Sequence, residues 1–274
     1  MSAQSDLSVQ RVTVRTLQEK KQKGEKIVCL TAYDASFARV LDQSGIDIVL
    51  VGDSLGMVVQ GHETTLSVSV EDMLYHSQMV AKGLSRSLLM VDMPFLSYTS
   101  VEQALDNAGL FMKEAGAQMV KLEGGADQSD VVSALAKNGI PVCAHLGLQP
   151  QKVHKIGGYR VQGREVLAAK EMLEEAKILE QAGADLMLLE CVPNDLAEKI
   201  THALSIPVIG IGASQACDGQ ILVLYDILGI SMNRLPKFSR NFLKDAGTIE
   251  GAVKAYASEV RHGSFPGKEH VFSQ

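Results

Sequence analysis

Tryptophan is missing from this chain, aromatic residues make up only 5% of it, and no apolar run approaches a membrane span. Crossing a bilayer as a helix takes roughly 20 consecutive apolar residues, so a membrane-spanning protein is not expected. The opening residues, Met-Ser-Ala-Gln-Ser-Asp, also lack the basic and apolar regions of a secretory signal. Cysteine is sparse: Cys29, Cys143, Cys191 and Cys217 are far apart and form no CxxC pair. That spacing argues against a disulfide framework or a cysteine zinc site, and for buried free thiols in a reducing, cytoplasmic setting. Positive charge is in deficit, with a formal net charge of −6. The one basic cluster, Lys20-Lys21-Gln22-Lys23, reads as a solvated helix face, so a nucleic-acid partner is not expected. No Pro/Ser-rich linker or low-complexity segment divides the sequence, which favours a single domain over residues 1–274. The GxxxxGK[ST], GxGxxG and HExxH patterns are absent as well.

What the chain does have is an alternation of short apolar runs with segments of helical periodicity. Strands are predicted at about 27–31, 46–51, 87–92, 117–122, 140–144, 185–190, 206–210 and 221–225. Eight such runs suit a closed (β/α)8 TIM barrel. A doubly wound open sheet is the alternative, but it gathers ligands at one switch point rather than at many strand ends. Helices are expected from Ser36 with a C-terminal glycine at Gly45, from Ser100 with a Ser100–Gln103 capping box, and from Glu165 to Gly183. Residues 1–26 read as a polar extension carrying a helix around Thr13–Lys23, placed to cap the N-terminal face of the barrel. Longer insertions at about 53–72 and 145–165 follow strand ends, so they are expected to overlie the active face.

Five polar residues close the apolar runs: Asp53, Asp92, Glu123, His145 and Glu190. An ionisable group at the mouth of a buried strand is costly unless it is paired, so five of them suggest one assembled site. Asp53, Asp92 and Glu123 make a hard-oxygen set suited to Mg2+. Any one of them alone is more ordinarily a helix cap or loop residue. Lys121 lies two residues before Glu123 and shares its strand face. It reads as an electrostatic clamp, with an ion pair to Glu123 or a Schiff-base role as alternatives. His145 reads as a donor to substrate, against a metal ligand or a satisfied core histidine. Glu190, partly desolvated, is the candidate general base, against a plain salt bridge. The glycine pairs Gly124-Gly125 and Gly157-Gly158 and the run Gly210-Ile211-Gly212 are weak phosphate-cradle signals that more often mark turns.

Longer motifs give these residues a context: Leu30-Thr-Ala-Tyr-Asp34, Val51-Gly-Asp-Ser-Leu-Gly-Met57, Val120-Lys-Leu-Glu-Gly-Gly125, Gly157-Gly-Tyr-Arg-Val-Gln-Gly163 and Ile206-Pro-Val-Ile-Gly-Ile-Gly-Ala213. With His145-Leu-Gly147, Leu189-Glu-Cys-Val-Pro193 and Asp218-Gly-Gln220, the chain closely resembles the ketopantoate hydroxymethyltransferase family from about residue 12 to His270. That resemblance implies a barrel of the phosphoenolpyruvate/pyruvate superfamily and a cytosolic step of pantothenate, hence coenzyme A, synthesis. It implies transfer of a one-carbon unit from 5,10-methylenetetrahydrofolate to 3-methyl-2-oxobutanoate, giving 2-dehydropantoate. It also implies Mg2+ at Asp53, Asp92 and Glu123, oxo-acid contacts at Asp53, Ser54, Asp92 and Lys121, a proton acceptor at Glu190, and a homo-oligomer, often a decamer. Departures from the family pattern at Ala144, Gln149, Ser214 and Leu96-Ser97-Tyr98 touch pocket shape and remove no charged group. Two alternatives stand beside this expectation. One is another Mg2+-dependent enolate lyase of the superfamily, although its Lys-Lys-Cys-Gly-His loop is not found here. The other is a non-catalytic metabolite-binding barrel.

Overall fold

The computed structural model describes residues 10–232 and 234–273; the opening Met-Ser-Ala-Gln-Ser-Asp lies outside them. Eight parallel strands close into a barrel in sequence order: β1 (Ile27–Thr31), β2 (Ile48–Val51), β3 (Leu88–Asp92), β4 (Met119–Glu123), β5 (Val142–Gly147), β6 (Leu186–Glu190), β7 (Val208–Ile211) and β8 (Gly219–Leu222). Strands covered on both faces read as nearly unbroken apolar runs. Ile-Val-Cys-Leu-Thr in β1 and Ile-Val-Leu-Val in β2 are buried throughout. Helices pack outside, and their inner faces join the strands in one hydrophobic cluster.

The helix starts follow local chemistry. Asp34 caps the Ala35–Gln43 helix by accepting from the Ser36 and Phe37 N–H groups, and Gly45 leaves it with φ 81°. The capping box expected at Ser100 is only half formed. Ser100 accepts from the Gln103 N–H at 3.2 Å, whereas the Gln103 side chain turns to the Thr99 N–H at 2.9 Å and the Thr99 hydroxyl at 2.8 Å. The Val166–Ala182 helix ends on Gly183 in the left-handed region, as its sequence predicts.

The barrel's two ends differ. At the N-terminal end, the Val14–Lys23 helix, capped by Thr13, ties itself to residues preceding the strands. Lys21 reaches the Asp218 carboxylate at 2.7 Å and the Thr201 carbonyl at 3.0 Å, and Lys20 stands 3.6 Å from Asp47. The structure departs from the predicted eight-fold alternation between β7 and β8. Residues 212–218 contain no helix, and Gln220 donates to the Ser214 carbonyl at 2.8 Å to brace the short crossover. β8 begins earlier than predicted because Gly219 lets two backbones approach: a Cβ there would come 2.3 Å from the Ile27 carbonyl oxygen. Residues 224–228, partly assigned to that strand from sequence, form a short helix instead.

Candidate active site

Strand register brings the polar residues together. Asp92 pairs with Lys121 across β3 and β4, Glu123 with His145 across β4 and β5, and Gly147 with Glu190 across β5 and β6. Asp92, Glu123 and Glu190 are the last residues of their strands, while His145 lies inside β5 and Asp53 lies two residues beyond β2. All five, with Ser54 and Lys121, line one cavity of about 680 Å³ at the C-terminal mouth. Both insertions contribute walls, through Met57, Val58 and Thr65 from the first and Tyr159, Arg160 and Val161 from the second.

Lys121 and Glu123 share a face, as period two requires, but the ammonium chooses Asp92 rather than Glu123. Lys121 Nζ lies 2.5 Å from Asp92 Oδ1, with both side chains nearly fully buried. Burial disfavours the ammonium, yet the carboxylates of Asp92, Glu123 and Asp53 outweigh it and push the Lys121 pKa upward. The amine therefore stays protonated, which suits a fixed positive charge and not a Schiff base. The other Asp92 oxygen accepts from the Asp53 N–H at 3.0 Å, clipping the first insertion to β3. Ser54 Oγ lies 2.8 Å from the Tyr33 hydroxyl.

Among the described residues, Asp53 and Glu123 have no cationic partner of their own. Burial, then the neighbouring Asp92, pushes Asp53 up to about 7 against the opposing pull of Lys121. Burial drives Glu123 well above the usual carboxylate range despite Lys121. Gln151 meets both: its amide NH2 donates to Asp53 Oδ2 at 2.8 Å and its backbone N–H to Glu123 Oε2 at 3.0 Å. Tyr98 donates in turn to Gln151 Oε1 at 2.5 Å.

His145 sits between two carboxylates, with Nε2 3.5 Å from Glu190 and Nδ1 3.8 Å from Glu123. Among the described residues, neither ring nitrogen has a partner at hydrogen-bonding geometry. Burial and Lys121 hold the imidazole pKa well below its usual value, so these contacts join a neutral ring to its neighbours and are not ion pairs. Glu190, 16% exposed at its side chain, opens onto the cavity. Burial pushes it up to about 8, with Lys121 pulling the other way.

The electrostatics fit a divalent cation. Three buried carboxylates, Asp53, Asp92 and Glu123, face one buried ammonium, and two of them are forced toward the neutral form. Among the described residues, no three Asp, Glu, His or Cys side chains converge as a ready-made cage. Mg2+ commonly takes only one or two carboxylates and completes its shell with water and substrate, so shared negative charge in an open cavity is a suitable donor set.

Gln151 was not singled out from sequence, and Tyr98 only as part of the departure Leu96-Ser97-Tyr98, because neutral residues between strands and long helices carry no periodic signal. Also missed was the wall after β8, where Asp226, Ser231, Met232 and Phe238 line the cavity. At two of the glycines the structure favours the preferred turn reading over the weaker phosphate-cradle one. A Cβ on Gly125 would meet the Glu175 carboxylate at 2.0 Å, and one on Gly212 would meet the Phe238 ring at 2.8 Å. Gly125 admits an anionic side chain and Gly212 an aromatic ring, so neither backbone is open to a phosphate.

Comparison with known proteins follows the same lines. The family described as ketopantoate hydroxymethyltransferase matches residues 11–268. A 3-methyl-2-oxobutanoate hydroxymethyltransferase of Alkalilimnicola ehrlichii is 58% identical over 95% of this chain and 94% of its own length. Among solved structures, 2,3-dimethylmalate lyase, a member of the PEP mutase/isocitrate lyase superfamily, is similar at TM-score 0.54 and 17% identity, over 72% of this chain and 70% of that one. Phosphonopyruvate hydrolase in complex with oxalate and Mg2+ is similar at TM-score 0.59 and 13% identity, over 77% of this chain and 80% of that one. At such identities these two structures bear on the fold alone.

Proposed function

The chain belongs to the ketopantoate hydroxymethyltransferase family and carries that activity in pantothenate biosynthesis, and from this premise we propose how its residues divide the work. Glu190 is the base that removes the C3 proton of 3-methyl-2-oxobutanoate, and the resulting carbanion forms a C–C bond to the one-carbon unit of 5,10-methylenetetrahydrofolate; both C–N bonds of that carbon are given up, one water supplies the hydroxyl oxygen, and tetrahydrofolate leaves. The observation that carries this assignment is the position of Glu190 on the open side of the cavity. It is raised to about 8 by burial and, unlike Asp92, is not committed to Lys121. A base with a pKa near the working pH combines availability with proton affinity.

Asp53, Asp92 and Glu123 are the residues to hold Mg2+, which supplies Lewis acidity to the oxo acid when bound. Lys121, permanently charged, stabilises negative charge as it develops on the substrate oxygen, at no cost of reorganisation. Neutral His145 has an unused ring N–H to offer the same substrate. Ser54, oriented by Tyr33, positions the carboxylate. We read residues 1–274 as one domain acting in the cytosol as a homo-oligomer, a decamer by the family resemblance. Exposed Tyr75, Leu96, Val166 and Leu167 offer apolar surface for contacts between copies.

The test omits folate and follows deuterium uptake at C3 of the oxo acid in D2O. Mg2+-dependent exchange is expected in the native chain. Glu190→Gln should keep oxo-acid binding and lose exchange by about 10²–10⁴-fold. Unchanged exchange in that variant moves the base elsewhere, and binding without turnover over a broad folate range returns the chain to a metabolite-binding role.

A further inference from the structure

Gln151 is 5% exposed and Tyr98 8%, yet neither belongs to the set of charged residues that the reaction needs. Burying an amide and a phenol is costly unless each polar atom finds a partner, and both do so almost entirely within the site. The Glu123 N–H points at the Tyr98 oxygen at 3.3 Å, and the Tyr98 hydroxyl reaches two acceptors, Gln151 Oε1 at 2.5 Å and, farther off, the Glu123 carbonyl at 3.2 Å. That leaves the amide NH2 to Asp53 Oδ2 at 2.8 Å and to the Met93 carbonyl at 3.0 Å. Turning the amide over would set its oxygen against a carboxylate and a carbonyl, two acceptors. The same residue's backbone N–H holds Glu123 Oε2 at 3.0 Å. One residue after β5 thus fixes two carboxylates that no strand pairing joins, with its side chain on Asp53 beyond β2 and its backbone N–H on Glu123 of β4.

We propose that Gln151 and Tyr98 are a positioning pair that holds the Asp53 and Glu123 carboxylates in the orientation that receives the divalent cation. The proposal rests on the assignment of Asp53 and Glu123 as cation-holding residues. Neither Gln151 nor Tyr98 lines the cavity; they act through the two carboxylates. Outer partners of this kind typically change cation affinity or activity by about 10–100-fold when removed.

The experiment titrates Mn2+ by calorimetry into the folded, metal-free chain and into Asp53→Asn, Gln151→Met and Tyr98→Phe, with circular dichroism to establish folding. Gln151→Met keeps the volume and loses every side-chain hydrogen bond; Tyr98→Phe loses only the hydroxyl that orients the amide. Gln151→Met is expected to weaken binding by about 10-fold or more, and Tyr98→Phe by more than about threefold. At saturating Mn2+, C3 deuterium exchange in both should return to within about threefold of the native rate, because the pair acts on occupancy and not on the proton. Native-like affinity in both variants overturns the pair while leaving Asp53 in place, provided Asp53→Asn binds poorly. Equal affinity in Asp53→Asn and the native chain overturns the underlying cation assignment instead. Weak binding with no recovery of exchange at saturation marks a collapsed mouth and also overturns the positioning role. If Gln151→Met does not fold, Tyr98→Phe decides: a loss smaller than about threefold is a refutation and a larger one is support.

Discussion

Gly147 faces Glu190 across β5 and β6 so closely that a Cβ on it would lie 2.2 Å from the Glu190 carbonyl oxygen. Gly147 also sits at φ 95°, where only glycine is comfortable, and the Leu148 N–H donates to that same carbonyl at 2.7 Å. On the far side, Cys191 adopts φ 48° and donates to the Ile211 carbonyl at 2.9 Å. The backbone of the proposed base is therefore pinned from both neighbouring strands. Gly147→Ala is expected to cost about 1–3 kcal/mol from backbone strain, more with the clash. By displacing Glu190 it should lower C3 exchange by roughly 10²-fold. Thermal unfolding and exchange measured on one preparation check this; a folded variant with native exchange would show that the position of Glu190 tolerates the shift.

The pH dependence of exchange follows from Glu190 lying at about 8. A base works only when ionised, so the rate at saturating oxo acid should climb with pH and level off above that value. Cation binding nearby adds positive charge and should move the midpoint downward. A rate profile flat from about pH 6 to about pH 9 in the cation-free chain with residual exchange would contradict the assignment.

Much of this was legible in the sequence because polar residues ending apolar runs are an unusual pattern, and because period two places Lys121 beside Glu123 on one face. Partners were not legible. Lys121 selects Asp92 through the β3–β4 register, a pairing between residues that the sequence leaves far apart. Gln151 sits in a single 3-10 turn, and Asp226, Ser231, Met232 and Phe238 come from a short helix and the irregular backbone after it, segments too short for periodicity to mark which side chain turns inward. The expected Ser100 capping box is only half formed, because the Gln103 side chain accepts from both the N–H and the hydroxyl of Thr99.

Stability without a cation should fall as pH rises. Asp53 at about 7 and Glu190 at about 8 are both raised above ordinary carboxylates by burial. The native state then holds protons that the unfolded chain has already released, so unfolding becomes easier as pH increases through those values. The contribution is complete below about pH 4 and lost above about pH 8, against whatever other groups add. Melting temperatures of the metal-free chain should decline from about pH 6 to about pH 9, and saturating Mg2+ should flatten the decline by binding the ionised native state. An equal slope with and without Mg2+ would count against a cation at these carboxylates.

Asp47 and Asp53 flank the same strand, β2, and both are buried, but among the described residues only Asp47 is answered by cations of its own. At the N-terminal end, Asp47 accepts from Arg86 at 2.8 Å and from the Val28 N–H at 3.1 Å, with Lys20 at 3.6 Å. At the C-terminal end, Asp53 has the Gln151 amide and a repelling Asp92. A carboxylate neutralised by cations at the closed face serves the fold, and one without a cation of its own among the described residues, at the open face, is left for a ligand. Asp47→Asn should therefore destabilise by about 2–3 kcal/mol, less than a fully buried pair because Lys20 and Arg86 are partly exposed. Its KM for the oxo acid and its Mg2+ requirement should match the native chain. Asp53→Asn should do the reverse, raising the cation requirement with little loss, or even a gain, in melting temperature for the metal-free chain above about pH 7, where an ionised Asp53 is the strained state. Denaturant unfolding and Mg2+ titrations on the two variants side by side check the division, and a shared phenotype would refute it.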